Sequence, residues 1–494
     1  MVTVSLLIRR DYPLDDPTLL HLFGSGGFAD VGSTAVSVCY CGRARRQQYA
    51  FAHRPKAEMS KTMPTDIPSD PTPLLQRAAQ ALQRGDLATA ERSCRAALKA
   101  APHHPGALHL LGVVARRAGY ADAAIDLFRQ AVAKAPEYAE AWANLGRALA
   151  DQNKTAEAQR AYAAGLKARP DYWPAQSGLA QVLVKAGDVD GAIDVLNSAV
   201  AHHRGHSAPA LELGNLLQNR GLHVEAVQAY SVALDREPGL TPALSNRAAA
   251  RLKCSDPAGA LADAEAYLAT GAKSANIVAY KVLALQLLGR QEAARQLADI
   301  DTMVYPVKPS ADRGFAKRLE ADIRAHPRLI DDWDPTLRAA RNGRVVQDLT
   351  KDPTPTIAAF LQMIGDAVEG LKARLPDQPG HPFFGAKPSR YQMIVWANIL
   401  GTGGHQAAHI HNYGWVSGVF YPSLPDDISD ASPAGWISFG TPGYGLPARP
   451  DQPTRALRPQ PGGMFLFPSY MWHHTIPLET GAERVSIAFD IVPR

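Results

Sequence analysis

A chain of 494 residues has room for two or three domains, and its 46 % hydrophobic and 20 % charged residues describe a soluble globular protein with ample core. A net charge of +5 is small for that length and argues against a dedicated nucleic-acid binder, which carries a basic stripe. The four cysteines, Cys39, Cys41, Cys94 and Cys254, form neither a disulfide framework nor a zinc motif, and no run of eighteen apolar residues offers a membrane span. A cytoplasmic protein without nucleic-acid or membrane partners is the expectation.

Residues 1–70 mix turn residues, a basic patch (Arg43, Arg45, Arg46) and two cysteines without sustained periodicity, and they lack the pattern of a secretory signal. The expectation is a poorly structured segment. A gene-start artefact is its other explanation, because Met59 and Met63 stand just before the regular part begins.

From 71 to 300 the chain repeats. Alanines recur at Ala90, Ala124, Ala158, Ala192, Ala226, Ala260 and Ala294, each 34 positions after the last. A second column holds small residues: Ala78, Gly112, Gly146, Ala180, Gly214 and Ala248. A third is mostly proline (Pro102, Pro136, Pro170, Pro238), and a fourth is bulky (Phe128, Tyr162, Leu196, Tyr230). Small residues let the two helices of a unit approach closely, the bulky residue is expected to pack into the next unit, and proline marks the break between units. The segment Trp142-Ala143-Asn144-Leu145-Gly146 resembles the first-helix pattern of tetratricopeptide repeats. That resemblance implies a right-handed superhelix whose concave face binds a protein or peptide. Asn144, Gln176, Glu212, Asn215 and Asn246 are the groove candidates. The last unit, from Ile277 to Ala294, loses its proline and reads as a cap leading into a new domain.

The prolines of Val304–Pro309 break the helical pattern and open a second domain, 301–494. Helices are expected over Ala311–Ala325 and Thr356–Leu375. From Arg390 short apolar strands alternate with Gly, Pro and Asn turns: Tyr391–Leu400, Trp415–Tyr421, Gly435–Phe439, Met464–Phe467 and Val485–Val492. Strands after a pair of helices describe a small barrel or jelly roll buttressed by helices.

The chemistry concentrates there. His409 and His411 are separated by one residue and so share a strand face; His473 follows later, and Arg484 heads the final strand. Of the adjacent His473 and His474 only one can face inward. Gly440–Gly445 is no phosphate loop and reads as a flexible loop at the barrel mouth.

The runs Trp396–Leu400, His409-Ile410-His411-Asn412, Ser417–Tyr421, Phe467-Pro468-Ser469 with His473 beyond, and Arg484-x-Ser486 resemble the 2-oxoglutarate- and Fe(II)-dependent oxygenases often fused to tetratricopeptide repeats. The resemblance covers about 300–494. It implies a multidomain chain: an all-α superhelix followed by a double-stranded β-helix with flanking helices. It also implies an Fe(II) ion, 2-oxoglutarate as cosubstrate, and ascorbate as a reductant. It makes His409, His411 and His473 the metal candidates, and Arg484, Ser486, Asn398 and Tyr391 the candidates for holding 2-oxoglutarate.

One position departs from the wider pattern, because His411 stands where a carboxylate ligand is expected. Three readings follow: a three-histidine centre, two histidines with His411 outside the ligand set, or a different metal such as zinc. The leading function is a dioxygenase that hydroxylates a protein or peptide recruited by the array. A small-molecule oxygenase whose repeats serve assembly, or a binding scaffold that has lost catalysis, are the alternatives.

Overall fold

The computed structural model describes residues 70–309, 313–330, 340–426, 428–479 and 481–494. The expectation for 1–70 lies outside the described residues, except for Asp70. The chain divides into two compact units. One holds 70–217 with Asp235–Glu237; the other holds Gln218–Leu234 and Pro238–Arg494.

The first unit is built of helices in antiparallel pairs: α1 (Thr72–Gln83), α2 (Leu87–Ala100), α3 (Pro105–Arg117), α4 (Ala121–Lys134), α5 (Ala139–Asp151), α6 (Thr155–Ala168), α7 (Trp173–Lys185), α8 (Val189–His202) and α9 (Ala208–Asn219). Local signals set their ends. Asp86 and Asp188 cap α2 and α8 by accepting the N–H of Thr89 and Gly191, each at 3.0 Å. The repeat columns become contacts. A Cβ on Gly112 would fall 2.7 Å from the Phe128 ring, and one on Gly146 would fall 2.9 Å from Tyr162. The bulky residue therefore packs first on the small residue of its own pair. Tyr162 also reaches Gly178 of the next pair, as the sequence reading expected.

The second unit continues with α10 (His223–Arg236), α11 (Thr241–Lys253), α12 (Pro257–Ala269), α13 (Ala275–Leu287), α14 (Gln291–Leu297) and α15 (Ile300–Met303). Helix α13 belongs to the unit expected to lead into the second domain. It buries residues all round, including Ile277, Val278, Val282, Leu283 and Leu285, as a helix does when it is covered on every side.

The strands β1 (Tyr305–Val307), β2 (Leu329–Ile330), β3 (Ala340–Val346), β4 (Tyr391–Gln406), β5 (Val416–Tyr421), β6 (Ile437–Phe439), β7 (Arg455–Leu457), β8 (Gly463–Pro468), β9 (His473–Thr475) and β10 (Arg484–Pro493) form two antiparallel sheets. The larger has the order β1-β8-β5-β10-β4-β3-β2 and the smaller β7-β6-β9, which gives the expected jelly roll. Pro306 sits on the edge strand β1, where a missing N–H costs no ladder bond.

Helices α16 (Arg313–Arg324) and α17 (Pro355–Arg374) flank the sheet. On α17, Ile357, Phe360, Ile364, Val368 and Leu371 are fully buried, and the Phe360 ring lies 4.9 Å from Phe420 of β5. Each such side chain contributes roughly 1.5–3 kcal/mol on burial. Along β10 the alternation is clean. Val485, Ile487, Phe489 and Ile491 have one parity; Arg484, Ser486, Ala488 and Asp490 have the other and line the barrel interior.

Candidate metal centre

Three histidines meet between the two sheets. His473 opens β9, and the segment after β4 runs antiparallel beside it. His409 and His473 exchange backbone hydrogen bonds of 3.0 and 3.1 Å, and the His411 N–H donates to the Ser469 carbonyl at 2.9 Å. The one-residue spacing turns both rings of the pair toward His473. The Nε2 atoms of His409 and His411 stand 3.1 Å apart, and one ligand nitrogen from each of the three lies within 4.8 Å of the others. Two nitrogens sharing one ion through cis bonds of about 2.1 Å stand about 3 Å apart, so the cluster fits a single metal ion.

The outer ring nitrogens decide which nitrogen is free. His409 Nδ1 faces the Ala407 carbonyl at 2.7 Å and His473 Nδ1 faces the Met471 carbonyl at 3.0 Å. A carbonyl only accepts, so each Nδ1 carries the hydrogen and each Nε2 keeps its lone pair. Burial, then the adjacent His411, pushes the His409 imidazole down to about 3. Burial, then His409, lowers His473 well below its ordinary value. Both stay neutral at physiological pH, the form that binds a metal.

Arg484 is buried, with 1 % of its surface exposed. It reaches across the interior so that Nη1 donates to the Gly435 carbonyl, just ahead of β6. Its Nε and Nη2, Asn398 Nδ2 and the Tyr421 hydroxyl are buried without a hydrogen-bond partner among the described residues. Asn398 is paired with Ser486 across the ladder, and Arg484 with Leu400, so Arg484, Ser486 and Asn398 share the inner face. A guanidinium with no carboxylate beside it among the described residues, next to further donors lacking acceptors there, is a site for an anionic ligand. A cavity of about 280 Å³ opens on the cluster, lined by Trp396, Asn398, Gln406, His409, His411 and Asp490 among others.

The structure does not bring Tyr391 to this group. It pairs with Pro493 at the far end of the β4–β10 ladder, nine residues or ~30 Å from Leu400, and lies under Lys372. His474 pairs with Ser438 and belongs to the opposite face of β9 from His473. The loop Gly440–Gly445 is pinned rather than free. The Gly440 N–H donates to the Trp472 carbonyl at 2.9 Å, and a Cβ on Gly443 would fall 1.9 Å from the Ala408 oxygen. Tyr444 sets its hydroxyl 3.3 Å from the Ile410 nitrogen, between the paired histidines.

Sequence reasoning passed over Asp490. Its Oδ1 lies 2.5 Å from His411 Nδ1 and accepts from the buried Ser417 hydroxyl at 2.6 Å; Ser417 in turn lies 2.8 Å from Ser469 Oγ. The signal that could have found it was the shared parity of Arg484, Ser486 and Asp490 on one strand.

In the first unit, three groove candidates are engaged within the array. Gln176, 2 % exposed, donates to the Pro170 carbonyl and accepts from His203. Asn144 binds His109, and Glu212 accepts from Ser177.

Residues 394–490 match the family described as "Putative 2OG-Fe(II) oxygenase", and 75–139 and 143–209 match tetratricopeptide repeats. Protein FlbA of Caulobacter vibrioides is 29 % identical over 192 residues, which is 39 % of this chain. The chain spans 32 % of the length of that curated relative. Among solved structures, MamA overlaps 33 % of this chain and 94 % of its own at 25 % identity, with a TM-score of 0.30. A tetratricopeptide repeat protein from Parabacteroides merdae overlaps 45 % and 89 % at 19 % identity, with a TM-score of 0.35. The chain thus carries tetratricopeptide repeats within 75–209 and, over 394–490, a segment that matches the family described as "Putative 2OG-Fe(II) oxygenase".

Proposed function

We propose that this protein is an Fe(II)- and 2-oxoglutarate-dependent dioxygenase that hydroxylates a protein or peptide recruited by its repeat array. The observation that carries the reading is the pairing of three inward-facing histidine nitrogens with a buried arginine whose Nε and Nη2 lack acceptors among the described residues. His409, His411 and His473 would hold the ion, presenting Nε2 while their Nδ1 hydrogens are spent on fixed acceptors. Arg484 would grip the distal carboxylate of 2-oxoglutarate, with Ser486, Tyr421 and Asn398 as further donors; a guanidinium binds a carboxylate through two parallel charge-assisted bonds. Bound iron supplies the oxidising power, using dioxygen and 2-oxoglutarate to hydroxylate substrate with release of succinate and CO2. The apolar walls around the cluster, among them Phe439 and Phe467, keep water from the reacting groups. Trp396, 5.4 Å from the His411 ring, forms the cavity wall that substrate would meet. The repeats support a macromolecular substrate, because such arrays serve protein recognition.

Purified protein supplied with Fe(II), 2-oxoglutarate and ascorbate should release succinate. His409→Ala and His473→Ala should each abolish release. Turnover that persists in these variants, or that needs no Fe(II), would overturn the reading. A barrel that ignores added Fe(II) would leave only a binding scaffold.

A further inference from the structure

The three histidines are not equivalent. His409 and His473 each spend Nδ1–H on a neutral backbone carbonyl, whereas His411 alone spends it on a carboxylate, at 2.5 Å. His411 is also the residue that stands in the carboxylate's place in the usual facial ligand set of two histidines and one acid. Three neutral imidazoles leave an Fe(II) ion with its full double charge. The usual set offsets one unit of it.

We infer that Asp490 is the positioning residue that restores this charge, acting through His411; the inference rests on the proposed metal centre. Its carboxylate can only accept, so it holds the hydrogen on Nδ1 and aims Nε2 into the cluster. A carboxylate hydrogen-bonded to a ligating imidazole raises the basicity of the ligand and fixes its orientation. The surrounding residues hold Asp490 in place. Its side chain is 13 % exposed, Ser417 donates to the same oxygen at 2.6 Å, and Ser417 rests against Ser469 Oγ at 2.8 Å. Gly414 leaves the space this requires: a Cβ there would fall 2.3 Å from Ser469 Oγ and 3.5 Å from the Asp490 carboxyl carbon. The charge missing from the ligand set is thus supplied one residue farther out, from the final strand of the barrel.

The test uses Co(II) as the probe, titrated into the full-length chain without cosubstrate and followed by its visible absorption bands. Asp490→Ala should weaken Co(II) binding by ten- to a hundredfold. Asp490→Asn retains an acceptor for Nδ1–H but no charge; it should fall between wild type and Asp490→Ala and should shift the band positions. Metal-free thermal unfolding should separate these effects from a folding defect, and if Asp490→Ala does not fold, the Asn variant decides. Wild-type affinity and unchanged bands in Asp490→Asn would overturn the role of Asp490 while leaving the histidine centre standing. A wild-type chain that binds no Co(II) would overturn both.

Discussion

His109 carries a residue-scale consequence in the first unit. It is 8 % exposed, and its ring sits between the Tyr138 hydroxyl and the Asn144 amide, both at 2.9 Å. Burial, only partly offset by Glu140, pushes it down to about 4. The unfolded chain takes up this proton near the ordinary 6.5, so between those values the unfolded state binds more protons. Stability is therefore fully present above about pH 6.5 and is lost as pH falls toward 4, by roughly 2–3 kcal/mol. Urea unfolding of wild type and His109→Gln across that window should show a shallower pH dependence in the variant. The same scale shows what a linear reading can and cannot see. His409, His411, His473 and Arg484 stood out because spacing on strands determines facing. Asp490 did not, because its partner lies 79 positions away and only the strand order brings them together. Tyr391 could have been set aside from the sequence. Asn398 lies seven positions further on, an odd step, so on one uninterrupted strand the two point to opposite faces.

At the scale of the element, repeat spacing revealed the helices but not which side chains meet. A column of small residues and a column of large ones imply a close approach; whether it lies within a pair or between pairs is a matter of three-dimensional offset. Gly146 and Gly370 make the contrast measurable. The first already faces the Tyr162 ring, whereas a Cβ at Gly370, on the exposed side of α17, meets nothing within 4 Å. Gly146→Val should destabilise by about 1–3 kcal/mol through overpacking. Gly370→Ala should stabilise by about 0.8–1 kcal/mol through helix propensity alone. Denaturant midpoints check both. Turn residues bracket β5, β6, β8 and β10, which lie within two residues of their expected ends, but β4 runs on to Gln406 past the expected Leu400, and β1 and β3 were not expected. The two-residue β2 and three-residue β7 were too short to show an alternation.

For the whole chain, the change from 34-residue periodicity to strands locates a change of architecture near 300, but the core ignores it. Ala248, Leu252, Val282 and Leu285 from the helices belong to one buried cluster with Met303, Leu466, Phe467 and Ile491. Polar ties reinforce it: Gln452 donates to Gln286 at 2.7 Å, and Tyr470 donates to the Leu297 carbonyl at 2.7 Å. A fragment of 301–494 exposes the surface that α13 covers. It should lose its near-ultraviolet circular dichroism and bind a hydrophobic dye. A fragment starting at 218 should unfold in one cooperative transition.

That shared core also bears on how such a chain can be reshuffled. A barrel cut at its own first strand is not a portable cassette, since part of its hydrophobic interior is encoded by the helices ahead of it. A recombination event that moved it behind a different array would have to carry α11 to α15 along. Fusions should therefore share those helices even where the earlier repeats differ in number.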